Sequence, residues 1–86
     1  MTPLFISLEG IEGSGKTTQI EKLGSWFESQ GRSVLKTREP GGTEIGKTLR
    51  ELILSTNSGL RSPYSEVLLF YADRLEHVTQ KIQPAL

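Results

Sequence analysis

Three segments of the chain combine residue types and spacings that could do chemistry. The first is Gly10-Ile11-Glu12-Gly13-Ser14-Gly15-Lys16-Thr17, which fits the pattern G-x-x-x-x-G-K-[ST] at every fixed position. Gly10, Gly13 and Gly15 lack a Cβ, so the backbone can turn tightly and approach a ligand closely. Successive N–H groups then face one concavity and can bind phosphate oxygens. A following helix adds the positive end of its dipole. Lys16 would bring a point charge to the outer phosphates of a nucleotide, and Thr17 a hydroxyl for Mg2+. The bland alternative is a solvent-exposed Gly/Ser turn.

The second segment is Arg38-Glu39-Pro40-Gly41-Gly42-Thr43. Arg38 offers a planar fork for phosphate or carboxylate. Glu39 could orient an arginine or a metal-bound water. The competing reading is a Pro-Gly-Gly turn with its charges in solvent. The third segment is Leu68-Leu69-Phe70-Tyr71-Ala72-Asp73-Arg74. Phe70 and Arg74 are four apart and share a helix face, so a ring could stack on a base while the guanidinium bonds its carbonyl edge. Taken alone, such a ring is more often core and such an arginine more often solvated.

The elements that must position these segments follow from periodicity. Leu4-Phe5-Ile6-Ser7-Leu8 is a short apolar run, so residues 3–9 read as a strand buried on both faces. Ile20, Leu23 and Phe27 recur at helical spacing and predict a helix over 16–29, with Gly31 placed to end it. Residues 33–37 read as a second strand, at whose carboxyl end Arg38 follows; ligands bind at that edge in open α/β sheets. Thr43 can cap a helix over 44–55 carrying Ile45, Leu49, Leu52 and Ile53 on its apolar face. Ser62-Pro63 opens a last helix over about 63–83, ending near Pro84. This order is the start of an α/β fold with a parallel sheet.

Composition bounds the rest. With 86 residues the chain is at most one domain, and its 10 basic and 10 acidic residues balance. That argues against general binding to nucleic acid or to a membrane surface. There is no cysteine, hence no disulfide framework and no thiolate metal site. No apolar stretch approaches a membrane span and no signal segment follows Met1, so a cytoplasmic protein is expected.

The three motifs, in this order and spacing from about Leu4 to Leu86, resemble thymidylate kinases of the bacterial type. The resemblance implies a P-loop NTPase fold, a nucleoside monophosphate kinase-like parallel sheet flanked by helices, with residues 1–86 as the N-terminal part of a single kinase domain. It implies ATP-dependent phosphorylation of thymidine monophosphate to the diphosphate, with ATP and Mg2+. Gly10 through Thr18 (Gly10, Ile11, Glu12, Gly13, Ser14, Gly15, Lys16, Thr17, Thr18) would hold the ATP phosphates, with Thr17 on the metal side. Glu12, a carboxylate inside an anion-binding loop, would reach towards the acceptor nucleotide, or else point to solvent. Lys16, Glu12 and Arg38 form the expected catalytic set. Phe70 would stack on thymine and Arg74 bond its carbonyl edge. Glu39 and Pro40 would line the acceptor pocket.

In the family the third strand lies between the first two, and the lid arginines and adenine loop come later still. The expectation is therefore an N-terminal portion that by itself binds phosphate weakly and catalyses poorly. Leu68, Tyr71, Leu75, Val78 and Ile82 form a helical apolar stripe. It is either core packed against the sheet or, as the family's second and third helices imply, a homodimer face. The rival readings are a kinase for another nucleoside or nucleotide, and an inactive phosphate-binding or dimerisation module. Glu9 is given no role, Asp73 is expected at the surface or in an ion pair, His77 solvated or simply packed, and Trp26 packed against the sheet.

Overall fold

The computed structural model describes residues 2–11, 13–55 and 57–86. The chain divides into two compact units, Met1–Lys36 and Thr37–Leu86.

The first unit is built on α1 (Lys16–Ser29). The helix opens from Gly15 in the left-handed region, φ 83°, with no side chain capping its first amides. It closes in a Schellman motif: the Gly31 N–H bonds Glu28 O at 3.0 Å, and the Arg32 N–H bonds Phe27 O at 3.1 Å. Gly31, at φ 84°, takes the left-handed turn that the motif demands, as its position after the helix predicts. Gly24 is buried beneath the Lys36 stem, whose ammonium reaches Glu21 Oε2 at 2.9 Å. Trp26 and Phe27 make an edge-to-face pair with centroids 5.0 Å apart.

The strands expected over 3–9 and 33–37 do not form. Among the described residues no strand is present. Leu4, Phe5, Ile6 and Leu8, read as buried on both faces, are 39–60% exposed. A strand exists only through the partner that satisfies its backbone groups, and an isolated ladder is marginal in water. Neither segment has such a partner here. Trp26, expected against the sheet, is correspondingly half exposed.

The second unit pairs α2 (Glu44–Leu54) with α3 (Pro63–His77). Thr43 caps α2, its hydroxyl accepting from the Gly46 N–H at 2.9 Å, and Glu44 in the first turn complements the dipole. Ser62 caps α3 by accepting from the Tyr64 N–H at 3.2 Å, with Pro63 in the first turn, as read from sequence. Beyond His77 the backbone widens into a π-helical stretch, Val78–Ile82, and resumes as α4 (Gln83–Ala85). The helical path ends at Ala85, close to Pro84 as read from sequence. The wider turn restarts the register, leaving Pro84 in a first turn where its missing N–H is tolerated.

No hydrophobic residue is fully buried among the described residues; the buried polar side chains are Thr43, Asp73 and His77. The second unit is thus tied together by polar groups, with Leu49, Ile53, Leu69 and Ala72 only half-buried around them. Buried polar groups hold a structure when hydrogen-bonded and cost heavily when not. Thr43→Ala is expected to cost about 1 kcal/mol of unfolding free energy, and Thr43→Ser much less. Urea denaturation of the two variants checks it.

Candidate nucleotide-binding sites

The loop between residue 10 and α1 bends as its glycines allow. Gly13 and Gly15 sit at φ 80° and 83°, where other residues are strained. The Ser14 N–H closes the turn on Ile11 O at 3.2 Å. A Cβ on Gly10 would lie 2.7 Å from Ser14 Oγ, so this glycine is needed for close packing. Ile11, Gly13, Ser14, Gly15, Lys16, Thr17 and Thr18 line a cleft of about 280 Å³ at the helix N-terminus. The first helical amides and the dipole face this cleft, which suits an anion. Lys16 folds back over the loop and donates from Nζ to Gly10 O at 2.8 Å. That contact holds its ammonium beside the turn. Glu12 lies outside the described residues.

The donor set also suits Mg2+. No group of three His, Asp or Glu able to cage a metal exists among the described residues. Mg2+ ordinarily keeps several waters and takes one or two protein oxygens plus phosphate. A single hydroxyl, that of Thr17, beside a phosphate cleft is such a donor.

The second constellation lies within the second unit, where the turn at 38–43 is fastened to α3. Asp73 Oδ1 accepts from the Gly41 N–H at 3.0 Å. Arg74 donates from Nε to Glu39 Oε1 at 2.9 Å. His77 Nδ1 meets Glu39 Oε2 at 2.7 Å, and its Nε2 meets Thr37 Oγ1 at 2.6 Å. Arg50, from α2, donates from Nη1 to Pro40 O at 2.9 Å. The Glu39–Pro40 peptide is cis. The two glycines serve different ends. Gly41 has φ 104°, which a side chain would strain. A Cβ on Gly42 would fall 2.5 Å from His77 Cδ2.

Glu39 and Arg74 are therefore joined, and Phe70, 41% exposed, stands one turn before Arg74 on α3. The reading of Arg38-to-Thr43 as a turn with solvated charges fails for Glu39, which is partly buried and doubly bonded. Arg38 itself is exposed.

Two expectations are corrected. Asp73, expected at the surface or in an ion pair, is 1% exposed; Oδ1 holds the Gly41 amide, and Oδ2 has no hydrogen-bond partner among the described residues. His77, expected solvated or simply packed with no partner named, is packed, 3% exposed, and is also bonded through both ring nitrogens. Positions 70, 73 and 77 share one helical face. A helix that turns an Asp–His pair inward at i, i+4 signals a polar seat for a neighbouring loop. That signal was present in the sequence.

Burial by itself would raise the Glu39 carboxyl. The hydrogen bonds from His77 and Arg74, with the Arg74 charge, outweigh it and hold the group below its ordinary value of 4.5. Its contribution to stability is therefore present above that ordinary value. It is lost as the pH falls through the lower folded-state pKa. Glu39→Gln is expected to flatten the decline in stability below pH 4.5 relative to the parent. Denaturation curves at successive acidic pH values check this; parallel declines would refute it.

Comparison with known proteins places these features in a family. The thymidylate kinase family model matches residues 8–86. A thymidylate kinase of Bifidobacterium longum (strain DJO10A) is 52% identical over 89 aligned positions, covering 100% of this chain and 43% of the relative. One from Syntrophotalea carbinolica is 54% identical, covering 95% of this chain and 38% of the relative. One from Neisseria gonorrhoeae (strain NCCP11945) is 48% identical, covering 100% and 41%. The chain thus spans about two-fifths of the length of these curated relatives. With its phosphate loop opening α1 and its R-E-P-G-G-T turn bonded to α3, this chain belongs to the thymidylate kinase family.

Proposed function

We propose that this chain carries the ATP phosphate-binding loop and part of the acceptor pocket of an enzyme that phosphorylates thymidine monophosphate. The observation that carries this reading is the Arg74–Glu39 ion pair. It joins residues 35 apart in sequence and sets a guanidinium on the helix face that carries Phe70. A ring that stacks and a fork that bonds a carbonyl edge suit a pyrimidine with a carbonyl at the recognised edge.

In the reaction, a phosphate oxygen of the acceptor attacks the γ-phosphorus of ATP. The bond to the β-bridging oxygen breaks and ADP leaves. Such transfer needs positioning and charge neutralisation more than covalent help. The backbone of residues 10–18 cradles the ATP phosphates. Lys16 leaves its Gly10 carbonyl contact to meet the outer phosphates. Thr17 would hold Mg2+, which when bound neutralises phosphate charge. The family resemblance gives Glu12 a role towards the acceptor nucleotide, and Arg38 would steady its phosphate. Glu39 and Pro40 line the acceptor pocket.

No helix among the described residues is long and apolar enough to cross a membrane. We assign the protein to the cytoplasm, with ATP and thymidine monophosphate as its small-molecule partners. A second copy of the chain is a further partner: Leu68, Tyr71 and Leu75 are 60–68% exposed along one stripe of α3. A stripe of this size in water favours association through α2 and α3. An association module without catalysis is the second reading that this stripe favours.

Lys16→Ala is expected to lower ATP-dependent phosphorylation of thymidine monophosphate by on the order of a hundredfold. It should leave the molar mass by light scattering unchanged. Equal activity of the variant would overturn the catalytic reading and leave the association module. Phe70→Ala is expected to raise the KM for thymidine monophosphate roughly tenfold with little change for ATP. Assays with uridine and cytidine monophosphates decide acceptor class. A preference for either would assign the site to another nucleotide.

A further inference from the structure

His77 is a buried titratable side chain that the reaction above does not use. Its position makes it the anchor of the acceptor-site carboxylate. Glu39 divides its two oxygens, Oε1 to Arg74 Nε at 2.9 Å and Oε2 to His77 Nδ1 at 2.7 Å. The two partners differ in rigidity. The Arg74 side chain is 64% exposed, whereas that of His77 is 4% exposed. A long exposed arginine has ample rotamer freedom to lose, so a carboxylate bonded to it alone would not fix its direction. The imidazole is held at its far side by Thr37 Oγ1 at 2.6 Å, and over Gly42 there is no room for a Cβ.

The proton placement agrees. A carboxylate held below its ordinary pKa only accepts, so Nδ1 carries a hydrogen and donates to Oε2. Nε2 faces a hydroxyl, which can donate to a bare ring nitrogen or accept from a protonated one. The chain Thr37–His77–Glu39–Arg74 is then satisfied at each contact.

We propose that His77 is a positioning residue: seated on Thr37, it fixes the Glu39 carboxylate, and through it the aim of the Arg74 guanidinium at the acceptor base. This rests on the reading of Arg74 as the base-recognising arginine. His77 touches no substrate. It acts by preorganisation, which lowers the ordering cost of binding. Its effect therefore falls on acceptor recognition and not on the ATP side.

Two substitutions separate its nitrogens. In His77→Asn the amide nitrogen occupies the place of Nδ1 and keeps the donor to Glu39. In His77→Gln the amide reaches the place of Nε2 and loses that donor. Both are measured in the protein expressed from its own gene, after thermal melts establish that each folds. His77→Gln is expected to raise the KM for thymidine monophosphate roughly tenfold, with kcat and the KM for ATP within about twofold. His77→Asn is expected to restore the acceptor KM. Equal KM values in Gln, Asn and parent would overturn the proposal. So would KM values for acceptor and ATP that rise together.

If the parent fails to phosphorylate thymidine monophosphate, the functional reading falls by itself. The positioning role is then decided by the Arg74 Nε–H resonance in a 15N-correlated NMR spectrum. His77→Gln should move it towards its place in Glu39→Gln, and His77→Asn should not. An unmoved resonance in His77→Gln would overturn the proposal.

Discussion

The second unit depends on one carboxylate bonded to an arginine and a histidine of the same helix. Glu39 comes from a glycine-rich turn and would, in isolation, prefer water. It is held instead by Arg74 and His77, three residues apart on α3, so one face of that helix grips both oxygens. Asp73, immediately before Arg74 in sequence, takes the Gly41 amide of the same turn. Remove the carboxylate and the arginine loses this ion pair, the imidazole loses its acceptor, and the turn is left to its Asp73 and Arg50 ties.

This arrangement explains the glycines better than turn propensity does. Gly41 adopts a left-handed conformation. Gly42 instead leaves room for an imidazole, and Gly46 leaves room for Asp73, where a Cβ would lie 2.6 Å from Oδ1. The last two are demands of packing between segments more than 25 residues apart in sequence. Thr43 then turns from the loop into α2 by capping it, so the loop that carries Glu39 also starts the helix that carries Arg50. Local capping chemistry and the long-range ion pair reinforce each other.

In the first unit the balance differs. The phosphate loop depends on its own glycines and on the helix it opens, with Lys16 bonded back to Gly10. Nothing in it requires a distant side chain. A local motif of this kind is specified by conformation: positive φ at Gly13 and Gly15, then free amides at a helix start.

That difference decides what could be read in advance. The loop at 10–17, α1 over 16–29, the Thr43 and Ser62 caps and the Gly31 terminus were legible in sequence, because each is a short-range preference of one or two residues. That Phe70 and Arg74 lie one turn apart on a single helix was legible from their spacing. The strands over 3–9 and 33–37 were not, because alternation and apolarity describe what a strand would bury and never which partner completes its ladder. The helix end near Pro84 was legible as well, but the π-helical stretch before it was not, because no single residue type marks a widened turn. Asp73 was read as a surface or ion-pair residue and His77 as solvated or simply packed, because charge predicts exposure until a partner is known. Sequence alone determined the local geometry, since φ preferences and caps act within a few residues. Only tertiary structure decided which charges meet, because Glu39 finds Arg74 and His77 across more than 30 residues of chain, and the buried imidazole of His77 needs that partner.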